Sequence, residues 1–311
     1  MATRTEALTT TEIVQRALRR RRTDLSGQVF QVLLLSALLI SLLFLVVLLF
    51  DIISQAIPTF QERGADVLTG TVSSLPERAG VSQGISGSLL LVVFVVVIAF
   101  PLGIGAAIYL EEYASDTRLN RFINVNVRNL AGVPSVVFGL LGLALFVKLF
   151  GDVTGGRSVL SAGITLAILV LPIVIITSAE ALRAVPDSIR EAGYGVGATK
   201  WEVIRSHVLP GAAPGILTGT VLSLSRAIGE TAPLLMVGAV SGFFAVNAEG
   251  LVERLQSQFT ALPVLVYNWS RPPDPGFRHN LVPAAIVVLL VMTLSANAIA
   301  IFLRNRYDRK W

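Results

Sequence analysis

An all-α integral membrane protein with six transmembrane helices is the fold class this sequence predicts, and three observations predict it. Only 14% of the residues are charged and 53% are hydrophobic, where ordinary soluble domains carry about 25% charged residues. The apolar residues gather into runs long enough to cross a hydrocarbon layer of roughly 30 Å. Lys and Arg flank those runs asymmetrically, which is how membrane helices take their orientation.

The six runs fall at about 29–52, 85–110, 130–150, 159–179, 213–244 and 282–303. The first, "VFQVLLLSALLISLLFLVVLLF", is uncharged and apolar on every side, unlike a soluble helix, which is one-sided. It follows 28 mostly polar residues and exceeds the core of a cleaved signal peptide, so it reads as a retained anchor. The second carries Pro101, Gly103 and Gly105, which predict a bend and close helix contact. Glu111 and Glu112 follow it and are expected to be solvated at the membrane edge. The third opens at "AGVPSVVFG", with Pro134 suited to a first turn.

Between the runs, the segment after Asp51 is expected to be polar and turn-rich. In residues 245–281, "EGLVERLQSQF" spaces Leu251, Leu255 and Phe259 as a short amphipathic surface helix would. Tyr267 and Trp269 are expected at the membrane interface. Positive residues number 17 in the N-terminal tail, the second and fourth loops and the C-terminal tail, against six in the remaining loops. Both termini are therefore expected in the cytoplasm.

The net charge of +5 sits beside the membrane runs and so reflects topology, not nucleic-acid binding. Cysteine is absent, so no thiolate metal site can form. His207 and His279 are the only histidines, both outside the runs, and no nucleophile–base or metal-ligand spacing marks a hydrolase.

The fifth run breaks the pattern. "SLSRAIGETAPLLMVG" places Arg226 and Glu230 one helical turn apart. Arg226 lies 13 residues beyond Ala213, roughly 20 Å along a helix. A charge at that depth costs about 2.5–3.5 kcal/mol on insertion scales, so the two must face each other, protein or a wet cavity. One reading is an ion pair that locks two helices. Another is a polar constriction on a solute path, with Ser225, Arg226, Glu230 and Thr231 lining it. There Arg226 would offer its planar fork to an oxyanion and Glu230 would hold that fork. A cation site at Glu230 is disfavoured by the adjoining Arg226. Pro233 is expected to break the helix, Thr231 to cap its restart, and the freed backbone N–H groups to favour anions.

The loop 180–214 reads helix, glycine break, helix. Pro186 and Asp187 suit a first turn; Gly195 and Gly197 interrupt; Trp201, Ile204 and Val208 share a face; Pro210 and Pro214 are expected to end the second helix. The alternatives are a solvated linker and a docking element for a partner.

The frame Glu191, Ala192, Gly193, Gly197, Leu209, Pro210 resembles the EAA loop of ABC importer permeases, with Gly193 where a second Ala is usual and His207 where an aliphatic residue is usual. "PLGIGAAIYLEEYA", "NLAGVPSVVFGLLG", "GETAPLL" and "LPVLVYNW" are similar to the permeases of phosphate-specific ABC importers, the PstA type more than the PstC type. The resemblance implies a type I (MetI-like) permease fold in a bacterial inner membrane. It covers roughly residues 85–303, and the runs and loops divide the chain into a tail (1–28), an anchor (29–52), an external loop (53–84), a permease core (85–303) and a C-terminal tail (304–311). It further implies inorganic phosphate as substrate and Pro186, Glu191, Ala192, Gly193, Tyr194, Gly197 and Trp201 as the ATPase-coupling surface. The implied partners are a PstC-like permease, two PstB-like ATPases and a PstS-like external phosphate-binding protein. The sequence has no G-x-x-x-x-G-K-[ST] phosphate loop, so ATP and Mg are expected on the partner ATPase, with no cofactor or catalysis in this chain. An ion-coupled secondary anion carrier, or an ABC permease for another oxyanion, is the alternative.

Overall fold

A computed structural model describes residues 25–240, 250–271 and 274–307. Among the described residues every regular element is helical. Five helices are long and apolar enough to cross a membrane, and a bent pair supplies a sixth span. They are α1 (Leu25–Arg63), α2 (Ser82–Tyr113), the pair α3 (Arg118–Ala131) and α4 (Ser135–Leu149), α5 (Val159–Arg183), α7 (Lys200–Gly229) and α10 (Gly276–Arg306). Shorter helices are α6 (Asp187–Gly195), α8 (Ala232–Val237) and α9 (Leu262–Trp269). Five of the six apolar runs fall on these spans; the fifth, 213–244, starts on α7 but continues past its end at Gly229 into α8, and its residues 241–244 lie outside the described residues.

The chain divides into two units at Asp51–Ile52. In the first, the described residues form helix exposed around nearly its whole circumference with leucine, valine and phenylalanine, the pattern of a membrane span. The second unit opens still helical. The helix runs on through Pro58 to Arg63, so the expected loop from residue 53 starts about three turns late. Arg63 then ties that end to the following turn, donating to the carbonyls of Pro76 (2.9 Å) and Ala79 (2.8 Å).

The most buried span is α5. Ala162, Leu166, Ala167, Val170 and Val174 sit at its core, and α2, α3, α4 and α7 pack around it. Most of its buried hydroxyls are satisfied locally: Ser158, at its start, donates to Thr154 O at 2.6 Å and Thr165 to Ser161 O at 2.7 Å, whereas the Ser178 hydroxyl has no partner among the described residues. The close contact expected at Gly103 is present, because a Cβ there would lie 2.7 Å from Val174 Cγ1; Gly105 faces open space. Two small residues let α7 approach α5, since a Cβ at Gly215 or Gly219 would strike Ala181 or Thr177.

Wide π-helical turns precede three prolines: Val95–Ala99 before Pro101, Ile204–Val208 before Pro210, and Gly276–Leu281 before Pro283. Proline withholds a backbone donor and its ring crowds the preceding turn. An i→i+5 turn reroutes those bonds and the helix continues. For that reason Pro210 and Pro214 do not end the elbow's second helix, as expected from sequence; it runs unbroken into α7.

Three other expectations change. The 245–281 amphipathic helix shrinks to Leu251–Leu255, with the side chain of Leu251 outside the described residues. Phe259 is buried in the core beyond it. Trp269 is buried too, its ring centroid 5.8 Å from that of Phe277, whereas Tyr267 stays exposed under the Arg271 guanidinium. Burial of an indole against a second aromatic removes more apolar surface from water than an interfacial position would.

Candidate functional site: a charged helix end and a clamped elbow

Helix α7 stops at Gly229 because Glu230 turns extended (φ −75°, ψ 119°). Glu230 still reaches back: Arg226 Nε donates to Glu230 Oε1 at 3.1 Å. The two side chains are 40% and 17% exposed. The pair thus joins neighbouring turns of one segment and locks no two helices of this chain. Among the described residues nothing accepts from Arg226 Nη1 or Nη2. The two terminal donors of the fork are free for an oxyanion.

The backbone contributes less than the sequence suggested. Arg226 occupies the last turn of α7, where carbonyls point outward and the helix dipole favours a cation. Thr231 precedes α8 without a side-chain cap, and α8 has only six residues with Pro233 in its first turn. The positive charge at the break is therefore that of Arg226 itself. Ser225 faces another way: its hydroxyl lies 2.7 Å from Asn297 Oδ1 on α10 and 2.9 Å from Val221 O.

Arg226 lies near the end of an exposed stripe. Gly215, Thr218, Leu222, Arg226 and Gly229 are exposed at intervals of three and four along α7, so they share one face. A groove of about 600 Å³ opens beside it, lined by Thr177 and Glu180 of α5 and by Thr218, Leu222 and Ser225 of α7.

The elbow lies at the other end of α7. Helix α6 starts after Pro186, and Gly197 supplies the left-handed turn (φ +83°). Thr199 then starts α7 with a reciprocal capping box: Thr199 N–H donates to Glu202 Oε2 at 2.7 Å and Glu202 N–H to Thr199 Oγ1 at 3.4 Å. Pro186, Glu191, Ala192, Tyr194, Gly197 and Trp201 are exposed, while Ile204 and Val208 are fully buried. Trp201 thus leaves the face the sequence assigned to it. Gly193 is buried because a Cβ there would lie 2.7 Å from Val203 Cγ2. The departure from Ala at this position has a steric partner in a stiff β-branched residue. His207 is exposed.

A family model described as "Binding-protein-dependent transport system inner membrane component" matches residues 99–311. The phosphate transport system permease protein PstA 1 of Mycobacterium tuberculosis is 35% identical over 239 residues, covering 76% of this chain and 74% of the relative. The PstA protein of Yersinia pestis is 33% identical over 284 residues, covering 89% and 90%. The chain belongs to the PstA-type permeases within this transport family. Solved structures show the same fold at low identity. A subunit of a bacterial ABC transporter involved in alginate import aligns with TM-score 0.64 at 15% identity, over 96% of this chain and all of that one. A subunit of the MetNI methionine ABC transporter aligns with TM-score 0.55 at 18% identity, over 74% and 95%.

In this PstA-type permease the sequence reading missed Glu111 and Glu112. Neither is simply solvated. Glu111 pairs with Arg183 at the end of α5. Glu112, its side chain 5% exposed, accepts from Arg190 Nη2 at 2.7 Å and Nε at 3.2 Å. Arg190 also donates to Leu182 O (3.0 Å), Val185 O (2.8 Å) and Asp187 Oδ1 (3.1 Å). The Glu112 hydrogen bond above all holds the Arg190 guanidinium above its ordinary range, against its partial burial, so Arg190 keeps its charge at neutral and alkaline pH. Lys200 Nζ stands 5.1 Å from the centre of the Tyr113 ring. The only available signal was two carboxylates at the end of an apolar run, and their partners are more than seventy residues away.

Proposed function

We propose that this permease carries inorganic phosphate inward as one of two membrane subunits of an ATP-driven importer in a bacterial inner membrane. The observation that carries this reading is the Arg226 fork, two donors without an acceptor among the described residues, on an exposed stripe near the end of an apolar span. A charged group at that depth excludes lipid as its neighbour. A PstC-like second permease supplies the facing wall, and the phosphate path runs between the two. Phosphate suits the fork because parallel N–H donors match its oxygens. Glu230 holds Nε and orients the fork; Ser225 and Thr231 flank it.

The elbow is the motor contact in this reading. Two PstB-like ATPases bind ATP and Mg, and one docks on Pro186, Glu191, Ala192, Gly193, Tyr194, Gly197 and Trp201; buried Gly193 acts by letting α6 lie close to Val203. A PstS-like protein delivers phosphate on the opposite face. Both termini lie in the cytoplasm, as the 17-to-six distribution of positive residues favours. Closure of the ATPases moves the elbow and opens the Arg226 region outward; hydrolysis returns it inward. This chain catalyses nothing.

The test is uptake of labelled phosphate into vesicles holding the four-component assembly, with ATP supplied on the elbow side and sulfate as competitor. Expected is uptake that requires ATP and the ATPase and resists sulfate. Uptake that survives ATP depletion and collapses with the membrane potential would establish an ion-coupled carrier instead. Equal competition by sulfate would establish a broader oxyanion permease.

A further inference from the structure

Three consecutive residues close α2, and each is held by a cation at one station of the elbow. Glu111 is held by Arg183 where α5 ends, Glu112 by Arg190 within α6, and Tyr113 by Lys200 where α7 begins. The middle link is the buried one. Arg190 grips Glu112 of α2 and the carbonyls of Leu182 and Val185 behind α5 at once. Its neighbour Glu191 points away into solvent. One residue thus faces the outside and the next is bolted to two spans.

We propose that the Arg190–Glu112 pair is a coupling strut: it makes α2 move with the elbow, and so positions the spans for transport without touching the solute. The inference rests on the reading of α6 as the ATPase contact. A guanidinium suits the task because one planar group bonds a carboxylate and two carbonyls in fixed directions. The pair is out of water, so a lost partner leaves the other charge buried and uncompensated, which is why the bond persists through a displacement. Motion then passes up α2, whose Gly103 and Phe94 lie against Val174 and Gly163 of α5.

The experiment uses the complete assembly in proteoliposomes, with wild type, Glu112→Gln and Arg190→Lys. Copurified ATPase, ATP hydrolysis and phosphate moved per ATP are measured. Because the chain has no cysteine, spin labels placed at exposed Ser188 and Leu102 report the elbow-to-α2 separation before and after trapping with ATP and vanadate. Expected for Glu112→Gln is retained ATPase and continued hydrolysis, with phosphate per ATP down by about tenfold or more, the scale of one lost charge-assisted hydrogen bond. The label separation stays constant on trapping in wild type and changes in the variant. Arg190→Lys, which keeps the charge but not the three-way grip, falls between. An unchanged phosphate-to-ATP ratio in Glu112→Gln, or a separation constant in both proteins, would overturn the strut. If Glu112→Gln does not assemble, Arg190→Lys decides: a lowered ratio supports the strut and an unchanged one overturns it. A wild-type assembly that transports without any ATPase bound would instead remove the docking reading underneath.

Discussion

Arg226→Gln separates a solute-binding arginine from a structural one. Among the described residues Arg226 bonds only Glu230, within its own segment, and is 40% exposed. Pairs at this spacing contribute about 0.5 kcal/mol. For a chain of this size such a loss lowers the melting temperature by roughly 1–2 °C, so the variant should insert and assemble. Its effect on transport should be far larger. Two Nη donors aimed at a phosphate contribute hydrogen bonds of the charge-assisted kind, at about 1.5–3 kcal/mol each before competing costs. Losing about 3 kcal/mol from the transport barrier is a decrease of roughly 100-fold in phosphate kcat/KM. The assay is ATP-driven uptake at several phosphate concentrations, beside a thermal-shift curve of the purified assembly. The double variant Arg226→Gln, Glu230→Gln removes the unpaired carboxylate and should regain any lost stability without regaining uptake. Uptake by Arg226→Gln within about threefold of wild type, or restored in the double variant, would refute the reasoning.

Three further outcomes follow from the same geometry. Glu191→Lys reverses a charge on an exposed elbow position and should leave insertion intact while abolishing ATP-coupled uptake, checked by membrane abundance beside uptake. Gly193→Ala places a methyl 2.7 Å from Val203 Cγ2 and should destabilise by about 1–3 kcal/mol, with Val203→Ala restoring the loss, read from thermal unfolding of the two assemblies. Thr199→Ala removes the elbow's capping box at a cost of about 1 kcal/mol, seen as faster hydrogen exchange at Lys200–Val203.

The spans were legible because lipid imposes a one-dimensional rule: any segment crossing it must be long, apolar and internally bonded. The elbow was legible because Pro186, Asp187 and Gly197 are local signals, each acting within a few residues of where it stands. Arg226 and Glu230 stood out by cost, as charges where charges are expensive. What stayed hidden were partnerships at a distance. Nothing near Glu112 in the sequence names Arg190, and nothing near Trp269 shows that Phe277 will cover it. Proline misled in a specific way. At Pro210 and Pro214 it reads as a stop, but the wide turn over Ile204–Val208 absorbs the donor missing at Pro210, and the helix continues through Pro214 without one. At the fifth run the break does occur, yet at Glu230, three residues before Pro233, which sits in the first turn of the restarted helix. Residues 241–244 of that run lie outside the described residues.

The elbow and the charged pair are two ends of one helix, and this has a mechanical consequence. Between Lys200 and Arg226 the chain is continuously helical, a rod of roughly 39 Å at 1.5 Å per residue. Tilting such a rod by about 10° at its elbow end displaces the far end by about 7 Å, more than the width of a hydrated oxygen contact. Small motion at Trp201 is therefore amplified at the Arg226 end, almost wholly sideways, with under about 1 Å of shift along the rod. The rod is also one-sided: α5 lines the groove beside its exposed stripe, but among the described residues nothing accepts from the terminal donors of the fork. A solute there would touch one wall only, and an arginine in mid-membrane with one wall is open to lipid. In the assembly proposed above, a second membrane subunit facing the stripe would remove both difficulties, closing the path around the anion and shielding the charge from hydrocarbon.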